Sequence, residues 1–233
     1  MSGDRLPSSS EMVFDACAGF DGTVYLLAKG SIVPWCIDPQ ADPHFQRFMV
    51  PLMEQALAEW QLHQLHLEYP HVHRGEPFAF RVTLQSANAI DGRSALSTTA
   101  TAFFPFKLAA HQPPELKIYP AFFLLKSEER VATLVHEIGH TLGLRHDPMS
   151  PIEWQSCPSV ELAPPDTLSV MHYIPTRELT KRMGLIHFSD IDAVLILYGL
   201  PQGGCFGGWP ITHVKPLLHT ESGSEDKREI LKV

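Results

Sequence analysis

Residues 136–146 have the sequence HEIGHTLGLRH, which places three histidines at a fixed spacing. Four residues of α-helix correspond to about 40° of rotation and 6 Å of rise. His136 and His140 therefore project from one helix face, one turn apart. Glu137 is rotated from His136 by about 100°, so it flanks the pair of imidazoles instead of lying in line with them.

The third histidine of this stretch requires the chain to reverse. On a continued helix His146 would lie about 9 Å beyond His140 along the axis. Gly143 has no Cβ and tolerates the positive φ of a helix-ending turn, which lets His146 swing back. Three imidazoles that share one Zn²⁺ leave its fourth position to water, which is typical of a catalytic site. We therefore predict one catalytic zinc ion held by His136, His140 and His146, with Glu137 placed to take a proton from the water.

Hydrophobic spacing, caps and breakers predict the elements around this motif. Pro51 is expected to kink the first helix or delay its start, and Ser189 is expected to cap the last one, with Asp192 three residues on. The helices are predicted at 42–60, 127–143 and 189–199. The strands are predicted at 23–27, 31–36, 65–69, 78–84, 98–104 and 115–119. This order predicts an α+β fold in which helices pack on a mixed sheet.

Length and composition limit the class of protein. A chain of 233 residues can bury about 70% of its unfolded surface, so it needs no metal or disulfide merely to fold. A formal net charge of -8 argues against a nucleic-acid partner. No apolar run reaches the length of a membrane span, and the N-terminal residues lack the pattern of a secretory signal peptide.

The four cysteines leave two interpretations open. Cys17, Cys36, Cys157 and Cys205 lack C-x-x-C spacing, so a zinc site made of cysteines is not expected. Disulfides require an oxidising compartment, and buried free thiols are the alternative.

The eleven-residue pattern resembles the zinc motif of the metzincin metalloproteases, H-E-x-x-H-x-x-G-x-x-H followed by a Met-turn. Residues 169–173, SVMHY, resemble that turn. The resemblance implies that Met171 forms an apolar floor beneath the metal and that Tyr173 stabilises the oxyanion, as a tyrosine does in astacins and serralysins. Without the family, Met171 is a soft core residue and Tyr173 an amphipathic one. Tyr173 favours an astacin-like protein, whereas Asp147 after the third histidine is closer to the adamalysins.

The resemblance also implies a domain plan. A metzincin-type zincin has a twisted, mixed five-stranded sheet with two long helices in its N-terminal lobe, and a smaller irregular C-terminal lobe that ends in a helix. The parts of the chain are predicted to be a flexible tail or pro-segment 1–21, a catalytic domain 22–203 with lobes 22–143 and 144–203, and a C-terminal tail 204–233. Cys17 is then a candidate latency ligand, as a pro-segment thiol is in matrixins, although the flanking matrixin motif is absent.

The function that the resemblance implies is zinc-dependent hydrolysis of internal peptide bonds, with Glu137 as general base. Residues 98–105 resemble the edge strand along which the family binds its substrate, so the expected partner is a protein or peptide in extended conformation. A monomer is expected. The location is extracellular by resemblance and intracellular by the missing signal peptide. Two alternatives stay open: a catalytically silent zinc-binding interaction module on the same fold, and a zinc amidase that acts on small substrates.

Overall fold

The computed structural model describes residues 16–19, 21–86, 98–146, 160–163, 168–172 and 186–220. Their helices are α1 (Pro43–Glu59), α2 (Ser127–Thr141) and α3 (Phe188–Gly199). Their strands are β1 (Ala16–Ala18), β2 (Val24–Leu27), β3 (Trp35–Ile37), β4 (Phe80–Leu84), β5 (Ala100–Thr101), β6 (Glu115–Ile118), β7 (Leu144–Arg145), β8 (Val160–Ala163), β9 (Cys205–Phe206) and β10 (Trp209–Val214). The α+β prediction is confirmed, and no helix of the described part is long and apolar enough to cross a membrane.

Among the described residues the main sheet is mixed, as predicted, but it has four strands instead of five, in the order β3-β4-β6-β5. β3, β4 and β6 are parallel, and β5 runs antiparallel at the edge. The segment predicted as a strand at 65–69 does not form one. Its continuation runs beside β3, where the N–H groups of Val33 and Trp35 donate to the carbonyls of Glu68 and Pro70. Pro70 has no N–H to return, so only isolated bridges form.

The two long helices pack together and build the core behind the sheet. α1 begins at Pro43, where the side chain of Asp42 accepts a hydrogen bond from the His44 N–H, and it continues through Pro51. The expectation that Pro51 delays the start of this helix is therefore wrong. At its end the indole N–H of Trp60 donates to the Val135 carbonyl of α2 over 2.8 Å. This buried bond fixes α2, which carries the first two histidines, against α1.

Both predicted tails contain strands that belong to the folded body. β1 lies between β7 and β8, and β10 pairs in parallel with β2 and antiparallel with β9. Residues 16–18 and 205–214 therefore pair with other strands of the described structure, although they lie in the segments predicted to be a flexible tail or pro-segment and a C-terminal tail. The pairings of β1 and the pairing of β10 with β2 join residues that are far apart in the chain, so local sequence patterns do not reveal them, whereas β9 and β10 are joined by only two residues, Gly207 and Gly208. The domain bounds remain a prediction.

Candidate metal centre

Three histidines meet where α2 ends. His136 and His140 lie on the helix, and the chain reverses at Gly143, whose φ is +100°, before β7 leads to His146. One ligand atom from each histidine lies within 4.8 Å of the others. The ring centroids are 4.8 Å apart for His136 and His140, 4.8 Å for His140 and His146, and 5.1 Å for His136 and His146. The predicted reversal and convergence are confirmed.

Backbone carbonyls define the tautomer of two of these imidazoles. His136 Nδ1 lies 2.8 Å from the Val170 carbonyl oxygen, and His140 Nδ1 lies 2.9 Å from that of Leu144. A carbonyl oxygen only accepts, so each Nδ1 carries the proton and donates it. Each Nε2 then keeps its lone pair, which is the arrangement of a metal-ligating histidine with an outer hydrogen bond. The donor set fits a divalent cation such as zinc.

Burial lowers the pKa of His140 and raises that of Glu137. Burial first, and then His136 and His146, hold the pKa of His140 well below its usual range. A neutral imidazole is the form that binds a metal. Burial also raises the pKa of Glu137 to about 8, although a hydrogen bond with the backbone of Ala102 opposes this shift. Glu137 therefore sits in a low-dielectric site where a nearby cation would strongly favour its carboxylate.

Met171 lies directly against the histidine helix. It is buried, and a Cβ added to Gly139 would overlap its Sδ and approach the Trp60 ring to 3.0 Å. Gly139 lies between the two helical histidines in sequence, so Met171 packs on the turn that carries them. Its predicted role as the floor of the site stays a proposal. Tyr173, Asp147 and Cys157 lie outside the described residues.

Two residues beside the centre escaped the sequence analysis. The ring of Phe104 meets that of His140 edge-on at 5.5 Å, and the Arg145 guanidinium lies 5.6 Å from the Phe104 centroid.

Asp190, and not Asp192, occupies the third position of α3, because the helix begins one residue before the predicted cap Ser189. A carboxylate near a helix start was the available signal for Asp190, and the choice between two aspartates could not be made from spacing alone.

Replacing Gly143 with alanine is expected to destabilise the protein more than the same change at Gly30. Both glycines have positive φ, which costs a residue with a Cβ about 1–2 kcal/mol. A Cβ at Gly143 would also lie 2.8 Å from the Tyr25 carbonyl oxygen, whereas one at Gly30 meets nothing within 4 Å. The clash should add about 1–3 kcal/mol. Urea unfolding of the two variants measures the difference, and equal costs would contradict the packing at this turn.

Comparisons with known proteins give similarity in structure alone. No protein-family model matches the chain, and no curated protein does. The structure is similar to that of myroilysin, at 15% identity over 80% of this chain and 99% of that one, with a TM-score of 0.49. It is also similar to high choriolytic enzyme 1, a hatching-enzyme zinc protease from the medaka fish Oryzias latipes, at 14% identity over 85% and 100%, with a TM-score of 0.41. The three histidines of the motif lie together in the structure, as the sequence predicts.

Proposed function

We propose that the protein is a zinc-dependent metalloendopeptidase that hydrolyses internal peptide bonds. The observation that carries the proposal is the convergence of His136, His140 and His146 beside the buried carboxyl group of Glu137. Two of the imidazoles have their Nδ1 protons tied to backbone carbonyls, so they are already in the ligand tautomer. Three such ligands are the donor set of a catalytic zinc site.

The three histidines would hold the ion, and Glu137 would move the proton. Zinc bound there supplies Lewis acidity, which activates water and polarises the scissile carbonyl. Glu137 accepts a proton from the attacking water as the oxygen bonds to the carbonyl carbon. It then returns the proton to the amine nitrogen as the C–N bond breaks.

The edge of the main sheet supports an extended peptide as the substrate. β5 is the last strand in the sheet order and pairs only with β6 among the described strands. An extended chain could add to its other side by backbone hydrogen bonds. The strand leads directly to Ala102, whose backbone contacts Glu137, so a peptide aligned on β5 would reach the proposed base.

Tyr173 is proposed to donate a hydrogen bond to the tetrahedral oxyanion. Replacing it with phenylalanine is expected to lower kcat by up to about two orders of magnitude, because one such donor contributes on this scale. Zinc content measured on the same samples should stay unchanged. A collapse of zinc content would show that Tyr173 is needed for the metal site itself, and its role in stabilising the oxyanion would lose support.

The proposed function is tested by profiling cleavage sites on a peptide library. The endopeptidase should cut inside the peptides, and a chelator or a hydroxamate should block it. A protein that binds zinc but cuts no peptide would favour the silent interaction module. Release of small amides without internal cleavage would favour the amidase.

A further inference from the structure

One buried carboxylate joins α3 to the loop beneath the metal centre. Asp190 is only 4% exposed. Its Oδ1 accepts the Ser169 hydroxyl at 2.5 Å, and its Oδ2 accepts the N–H groups of Val170 at 2.9 Å and His187 at 3.0 Å. Hydrogen bonds to an ionised acceptor are shorter and about twice as strong as neutral ones. Asp190 therefore holds residues 169 and 170 in one position.

The hydrogen bonds continue without a break from this carboxylate to a proposed zinc ligand. The Ser169 hydroxyl oxygen accepts from the Met171 N–H at 3.0 Å. That N–H belongs to the same peptide unit as the Val170 carbonyl, which accepts from His136 Nδ1 at 2.8 Å. Every donor in the series points towards Asp190. Hydrogen bonds aligned in this way polarise one another, so the charge of Asp190 strengthens the Val170 carbonyl as an acceptor.

We propose that Asp190 is a positioning residue for the metal centre, acting through Ser169 and the 170–171 peptide unit to orient His136 and increase its basicity towards zinc. The inference rests on the proposed function in so far as zinc is the metal. The same contacts hold the Met171 backbone, and the Met171 side chain packs on the histidine helix at Gly139. One carboxylate thus secures two contacts between this loop and the helix that carries His136.

The test compares Asp190→Asn with Asp192→Asn. Both remove one negative charge from α3, but Asp192 is exposed. An amide at 190 offers one acceptor oxygen and turns the other group into a donor, which faces an N–H or hydroxyl that also donates. Zinc affinity is measured by competition with a chromophoric chelator, and the ligand field by the visible spectrum of the Co²⁺-loaded protein. Asp190→Asn should weaken zinc binding by about 10–100-fold and shift the Co²⁺ bands, whereas Asp192→Asn should do neither.

A second variant tests whether Asp190 acts through the series of hydrogen bonds or only by holding the Val170 N–H in place. Ser169→Ala breaks the link through the hydroxyl but keeps the bond from Val170 N–H to Asp190, so it should shift the Co²⁺ spectrum and weaken zinc binding less than Asp190→Asn. If Asp190→Asn does not fold, Ser169→Ala decides alone. Zinc affinity and Co²⁺ spectra equal to those of the Asp192→Asn control would overturn the inference. A wild-type protein that binds zinc without cleaving peptides would overturn only the proposed function.

Discussion

Replacing Glu137 with alanine is expected to abolish peptide hydrolysis while zinc content stays near one ion per chain. Proton transfer by a placed general base typically contributes about 10²–10⁴-fold to the rate, and the group of three histidines found among the described residues includes no carboxylate that could replace Glu137. The imidazoles keep their backbone partners in the variant, because the Nδ1 contacts do not involve Glu137. Initial rates on a casein-like substrate and zinc analysis of the same sample measure the two effects.

The matched control for this change is Glu128→Ala on the exposed first turn of the same helix. It removes an identical side chain from α2 and should leave turnover near the wild-type value. Retained hydrolysis in the Glu137 variant would remove the general-base role. Loss of zinc together with activity would instead assign Glu137 to the integrity of the metal site.

Replacing Cys17 with proline is expected to unfold the region around the third histidine and to release zinc. Cys17 lies in the middle of β1, opposite Arg145 of β7 on one side and Glu161 of β8 on the other. Proline removes the N–H of a strand that is paired on both edges, and a partner left without its hydrogen bond costs about 1–3 kcal/mol. β7 leads directly to His146, so disruption of β1 should displace this proposed zinc ligand. Thermal unfolding and zinc retention on dialysis measure the loss.

Cys17→Ala is the control, because it removes the thiol and keeps the N–H. It should match the wild type in melting temperature, zinc content and hydrolysis. A rise in activity in Cys17→Ala would instead support the thiol as a latency ligand. The side chain of Arg145 also donates to the Gly19 carbonyl at 3.3 Å, so residues 16–19 contact β7 by side chain as well as by pairing. An unchanged Cys17→Pro variant would show that β1 does not support the site.

The elements that could be predicted are those whose sequence pattern lies within a few neighbouring residues. The stripe of α2, the glycine with positive φ and the third histidine follow from helical geometry over eleven residues, and the structure places them as expected. The parallel strands β4 and β6 were predicted within two residues of their bounds. β5 is much shorter than the predicted 98–104: only Ala100 and Thr101 pair with β6, and a turn of 3₁₀ helix begins at Pro105.

The rest of the site depends on contacts between residues far apart in the chain. Nothing local shows that β1 pairs with β7, that β10 pairs with β2, or that Asp190 instead of Asp192 faces the loop of Met171. Strand pairing and the burial of one carboxylate are decided by which surfaces meet after the chain collapses. The amino-acid order therefore predicted the three proposed ligands, the proposed base and the reversal that brings the histidines together. The contacts that hold the imidazoles in place could not be predicted, because they come from segments that meet only in the folded chain.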